Sequence, residues 1–134
     1  MIYLGTPYRS SIREVKEERV RKVTLLAARL WSAGLPVFSP VTQGHHMFEQ
    51  AKDILCKDDE LWLRPDLAIL SKCGVLIVFK QVGWEHSDGL GREMEQATKQ
   101  GKPIFFIEDK YTLNDIFVLV QKINTYMNEG VIDG

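Results

Sequence analysis

The chain has 134 residues, of which 45% are hydrophobic and 26% charged, with a formal net charge of -1. That length fits one domain able to bury about two-thirds of its unfolded surface. The balance excludes a disordered or collagen-like chain and gives no electrostatic reason to expect binding to a nucleic-acid polymer.

The elements read in order. Ile2 to Gly5 is a short apolar strand closed by the turn signal Gly5-Thr6-Pro7. Residues 11–33 are helical in pattern, with Val15, Val23, Leu26 and Leu30 recurring mostly at three- and four-residue steps, Gly34 as C-cap and Pro36 as stop. The mixed-sign charges of 13–22 read as a solvated face. Residues 37–39 form a second strand ended by Pro40. The stretch 43–58 reads as a loop with a short helix over 48–55. Residues 62–71 read as a helix whose regular part starts at Pro65. The continuous aliphatic run 75–79 predicts a strand covered on both faces. A loop over 81–88 leads into a helix over 89–100. A buried strand over 103–107, a helix over 113–127 and a frayed tail over 128–134 complete the chain.

Alternation of strand and helix with aliphatic strands predicts an α/β fold. The expected form is a single three-layer, flavodoxin-like or Rossmann-like domain over 1–134, with a parallel sheet of four or five strands. Ligands bind such sheets at the carboxyl ends of the strands, where strand order reverses, so the loops after the first and third strands carry the most interest. No apolar run reaches the roughly 18 residues of a membrane span, and Cys56 and Cys73 read as unpaired thiols. A cytoplasmic protein with no membrane partner is expected.

In the segment Ser87-Asp88-Gly89-Leu90-Gly91-Arg92-Glu93, two glycines open a helix whose N-terminus favours anions. Leu90, Met94 and Ala97 predict the inward stripe, with Glu93 at its edge and the helix dipole helping to keep it ionised. A first-turn acid could equally serve only to stabilise the helix. The third glycine of a dinucleotide fingerprint is missing and no phosphate P-loop occurs. The pair His45-His46 lacks a third ligand, so no metal and no cofactor are expected; His46 is placed beside the base pocket instead. Tyr8 and Trp84 are candidates to line sugar or base, whereas Tyr3, Trp31 and Trp62 read as packing residues. Cys73 reads as a small apolar residue.

Several motifs together resemble the nucleoside 2-deoxyribosyltransferase superfamily, and within it the 2′-deoxynucleoside 5′-monophosphate N-glycosidases. They are the opening Ile2-Tyr3-Leu4-Gly5-Thr6-Pro7-Tyr8-Arg9, the strand end Phe38-Ser39-Pro40, Asp66 upstream of the third strand, the segment 87–93, and Gly101-Lys102-Pro103-Ile104. The resemblance implies Glu93 as the nucleophile at the anomeric carbon and Asp66 as the carboxyl that protonates or holds the leaving base. It places Thr6, Tyr8, Arg9, Ser87, Asp88, Gly89 and Gly91 around the substrate. Ser87, where the transferases look to carry aspartate, suits a 5′-phosphate, because a hydroxyl donates to it and a carboxylate repels it. Arg9 would add a charge-assisted contact. Asp88 next door is an alternative ligand contact. The first expectation is hydrolysis of a nucleoside 5′-monophosphate; base exchange and a non-catalytic nucleotide sensor are the alternatives, with a purely protein-binding role third. A homodimer or larger homo-oligomer is implied by the resemblance alone.

Overall fold

In the computed structural model, the description covers residues 1–54 and 59–133, and the side chains of 59–62 and 130–133 lie outside it. Cys56 and the side chain of Trp62 therefore fall outside the described residues.

Four strands, β1 (Ile2–Gly5), β2 (Val37–Phe38), β3 (Val75–Lys80) and β4 (Ile104–Glu108), form one sheet in the order β2-β1-β3-β4, and every pair is parallel. The expected fold class holds, with four strands among the described residues. Helices α1 (Arg13–Ser32), α2 (Pro40–Gln50), α3 (Asp59–Lys72), α4 (Asp88–Lys99) and α5 (Leu113–Asp133) join and cover them.

Because alternate residues of a strand face opposite sides, β1 and β3 each supply two cores. Ile2, Leu4, Val75, Ile77 and Phe79 pack with Val23, Leu26 and Leu30 of α1 and Ile116, Leu119 and Ile123 of α5. Tyr3, Leu76 and Val78 pack on the other face with Leu70 of α3 and Leu90 and Ala97 of α4. The chain leaves β1 toward β2 on one side, then crosses back to β3 on the other. Strand order thus reverses between β1 and β3, and the crevice at their carboxyl ends is where such folds take ligands.

Three boundaries differ from the sequence reading. Pro40, read as the end of the second strand, opens α2, where a loop with a short helix over 48–55 was expected, since proline at a first helical position gives up only a hydrogen bond the helix would not have made. Pro65 sits inside α3, which begins at Asp59, six residues before it. Helix α5 runs to Asp133, where a frayed tail was expected. Trp31 is 60% exposed and not a core residue; its indole N–H donates to the Val37 carbonyl at 2.8 Å, tying α1 to β2.

Candidate active site

Helix α4 begins where Ser87 Oγ accepts a hydrogen bond from the Leu90 backbone N–H at 3.3 Å. Ser87 is thus the N-cap, and its acceptor lone pair serves the helix, while its own O–H is left to donate outward. Asp88 lies exposed in the first turn, where a negative charge complements the helix dipole. Added Cβ atoms at Gly89 and Gly91 would meet nothing within 4 Å, so no packing inside the chain keeps these positions small.

From that start, Leu90, Glu93 and Ala97 fall on the buried stripe of α4. Glu93 is inside the stripe, 6% exposed, and not at its edge; Met94 is the half-buried neighbour. Its carboxylate accepts a hydrogen bond from the Tyr3 hydroxyl, across a separation of 90 residues. The approach depends on Gly5, the last residue of β1. A Cβ there would stand 2.9 Å from Leu90 Cδ1 and 3.5 Å from Glu93 Oε1, so a larger residue would force the buried Leu90 side chain to shift.

Burial raises the pKa of Glu93 to about 8; the Tyr3 hydrogen bond opposes that rise and the charge of Asp66 adds to it. The helix dipole does not keep Glu93 ionised at neutral pH, as the sequence suggested, because removal from water outweighs it. Asp66, half-buried on α3, is raised by burial to about 6. Its charge reaches both Glu93 and Tyr3, whose own pKa is driven far up, first by burial and then by Glu93. Burial thus favours the protonated form of both carboxyls, of Glu93 more than of Asp66, and the charge of Asp66 adds to the rise at Glu93. Two carboxyls with raised and different pKa values can divide the roles of acid and nucleophile.

The remaining candidates divide. Thr6 is buried at 4% exposure, and its hydroxyl donates to the Phe79 carbonyl at 3.2 Å while accepting from Gln81 Nε2 at 2.9 Å. Both bonds join β1 to the end of β3 and its loop, so the Thr6 hydroxyl is an internal tie. Tyr8 bonds His45 Nδ1 through its hydroxyl at 2.8 Å, with Lys16 Nζ 4.9 Å above its ring. Its pKa is raised to about 12 by burial and by Glu49. Of the two histidines, His45 turns toward the β1 loop and His46 is exposed on α2, since consecutive helical residues point about 100° apart. His45, not His46, is the one that meets Tyr8 on the loop after β1. Arg9 is exposed on the same loop. Trp84 packs on Phe106 at 6.1 Å between ring centroids, with Lys80 Nζ 5.4 Å above it, and so caps the β3–β4 edge. Two open cavities, of about 240 and 230 Å³, lie beside Tyr111 and beside His45 respectively, and neither is lined by Glu93.

Two participants were not read from the sequence. Tyr3 was assigned to packing because a tyrosine in an apolar strand gives no sign that its hydroxyl has a buried partner. A buried hydroxyl requires such a partner, which is the one signal that could have prompted the question. Gln81, opening the loop after β3, is 2% exposed and donates to both Thr6 and the Arg19 carbonyl.

Residues 1–109 match the family described as Domain of unknown function (DUF1937), which takes in all four strands and the whole of the site. The chain belongs to that family. No curated protein matches it.

Proposed function

We propose that this member of the family is an N-glycosidase that hydrolyses the base–sugar bond of a nucleoside 5′-monophosphate. The observation that carries the reading is the Glu93 carboxyl, buried at the switch point of the sheet, held by the Tyr3 hydroxyl and within electrostatic reach of Asp66. The resemblance of the segment 87–93 and of the opening strand to the nucleoside 2-deoxyribosyltransferase superfamily supports it from the sequence.

In this reading the proton that burial favours on Glu93 passes to Asp66, the Glu93 carboxylate attacks C1′ as the C1′–N bond breaks, and Asp66 delivers that proton to the departing base. Water then attacks C1′ of the glycosyl ester, giving up a proton to Asp66 and releasing Glu93 as carboxylate. The Tyr3 O–H favours the ionised form of Glu93, which attack requires. The Ser87 O–H, free to donate while its oxygen caps α4, and the Arg9 side chain are assigned to the 5′-phosphate.

Chromatography of purified protein incubated with a panel of nucleosides and 5′-monophosphates, beside Glu93→Ala, tests this. Release of free base and sugar phosphate from a monophosphate in water, lost in the variant, is the expected result. Release that requires a second free base makes the protein a transferase. Binding of a nucleotide without its consumption makes it a sensor, and Glu93 then has no catalytic part.

A further inference from the structure

Two loops border the crevice, one after β1 and one after β3, and a single side chain from outside spans them. Arg19 of α1 donates from Nη1 to the Arg9 carbonyl at 2.6 Å and from Nη2 to the Val82 carbonyl at 2.7 Å. The planar fork of a guanidinium can hold two diverging carbonyls in a fixed relation, which a lysine ammonium cannot do with the same geometry. The loop after β3 is shaped for this contact. Gly83 has φ +93°, and a Cβ there would lie 2.8 Å from Arg19 Nη2. The main chain of Arg19 is engaged too, its carbonyl accepting from Gln81 Nε2 at 3.0 Å while the same amide donates to Thr6. Loop, helix and loop are thereby joined through one residue that the sequence reading placed on a solvated face.

We propose that Arg19 is a positioning residue that sets the separation of the two ligand-bearing loops, and so governs how well the sugar phosphate is held. The inference rests on the N-glycosidase reading for its kinetic arm. It makes a specific division. Glu93 is anchored separately, by Tyr3 and by the close approach of α4 to Gly5, so release of the Arg19 strap leaves the reacting carboxyl in place. Arg9, and Ser87 with its outward O–H, stand on the segments that the strap ties, directly or through the Val82–Gly83 turn. Loss of the strap therefore weakens binding and spares chemistry.

The test uses the full chain with Arg19→Gln, Arg19→Lys and Arg19→Ala, and the 5′-monophosphate consumed by the unaltered protein. Arg19→Gln is expected to raise KM about tenfold with kcat within about twofold, and Arg19→Lys to recover only part of the loss. Guanidinium added to Arg19→Ala should lower KM again. Amide hydrogen exchange supplies an arm that needs no turnover: faster exchange at 8–10 and 82–87, unchanged at 90–97, is expected in Arg19→Gln. An unchanged KM, or a kcat that falls in step with kcat/KM, overturns the inference while leaving Glu93 its role. If the unaltered protein consumes no nucleotide, the glycosidase reading falls, and the exchange pattern alone decides whether the strap exists.

Discussion

The two faces of the sheet are built from the same strands and differ in kind. On the α1/α5 face, Ile2, Leu4, Ile77 and Phe79 pack in a cluster of aliphatic and aromatic residues. On the α3/α4 face, Tyr3 and Gly5 of β1 meet a buried carboxylate. Burying an acid beside an apolar layer opposes folding unless it is hydrogen-bonded or neutralised, and here it is both bonded and proton-loaded. One face is an apolar core, and the other buries the acid to which the proposed function assigns the chemistry.

The sharpest break between the faces is Glu93→Gln. Base release should fall about 10³-fold or more, because an amide is no nucleophile toward C1′, while the folded state becomes more stable at pH 8. Urea denaturation of the same preparation checks the second half. The opposite face should answer in reverse. Leu26→Ala, at a fully buried position, should cost about 3 kcal/mol of stability and leave KM and kcat of the folded protein unchanged.

Tyr3→Phe sharpens the comparison within the site. It removes the one bond that draws the Glu93 pKa down, so kcat/KM should drop about 10- to 100-fold. In the unaltered protein kcat/KM should be bell-shaped, with limbs near the pair's values of about 6 and about 8. The upper limb should move to higher pH in Tyr3→Phe; an unmoved limb would detach Tyr3 from Glu93.

The smallest effect is the pH dependence of stability. Both carboxyls have folded pKa values raised above their ordinary ones, so between those values the native chain binds more protons than the unfolded chain. The stability they contribute is fully present below about pH 4 and is lost as pH rises through about 6 for Asp66 and about 8 for Glu93. Denaturation midpoints across that window should decline in the unaltered protein and flatten in Glu93→Gln.

Much of this was readable before any coordinates. The aliphatic run 75–79 and the alternation around it gave the parallel sheet, and glycines and prolines at 34, 36 and 101 marked helix ends. The start of α4 was legible within one residue from the glycines at 89 and 91, whereas the capping role of Ser87 was not read. What the reading did not supply had a distant partner: Thr6 is tied to Gln81, 75 residues on, and Tyr3, a core residue as expected, also gives its hydroxyl to Glu93, 90 residues on. That His45 is the histidine facing Tyr8 was hidden for a simpler reason, since the phase of α2 was invisible once Pro40 had been taken as a stop.

By itself, then, the sequence determined the α/β class, the order of elements and the helix that presents Glu93. These follow from periodicity and turn chemistry, which act over a few residues. The tertiary structure decided which hydroxyl meets the buried Glu93, which hydroxyls are engaged inside the protein, and that Arg19 spans the two loops. Those outcomes depend on strand order and register, and β1 beside β3 brings together residues whose separation along the chain carries no local signal.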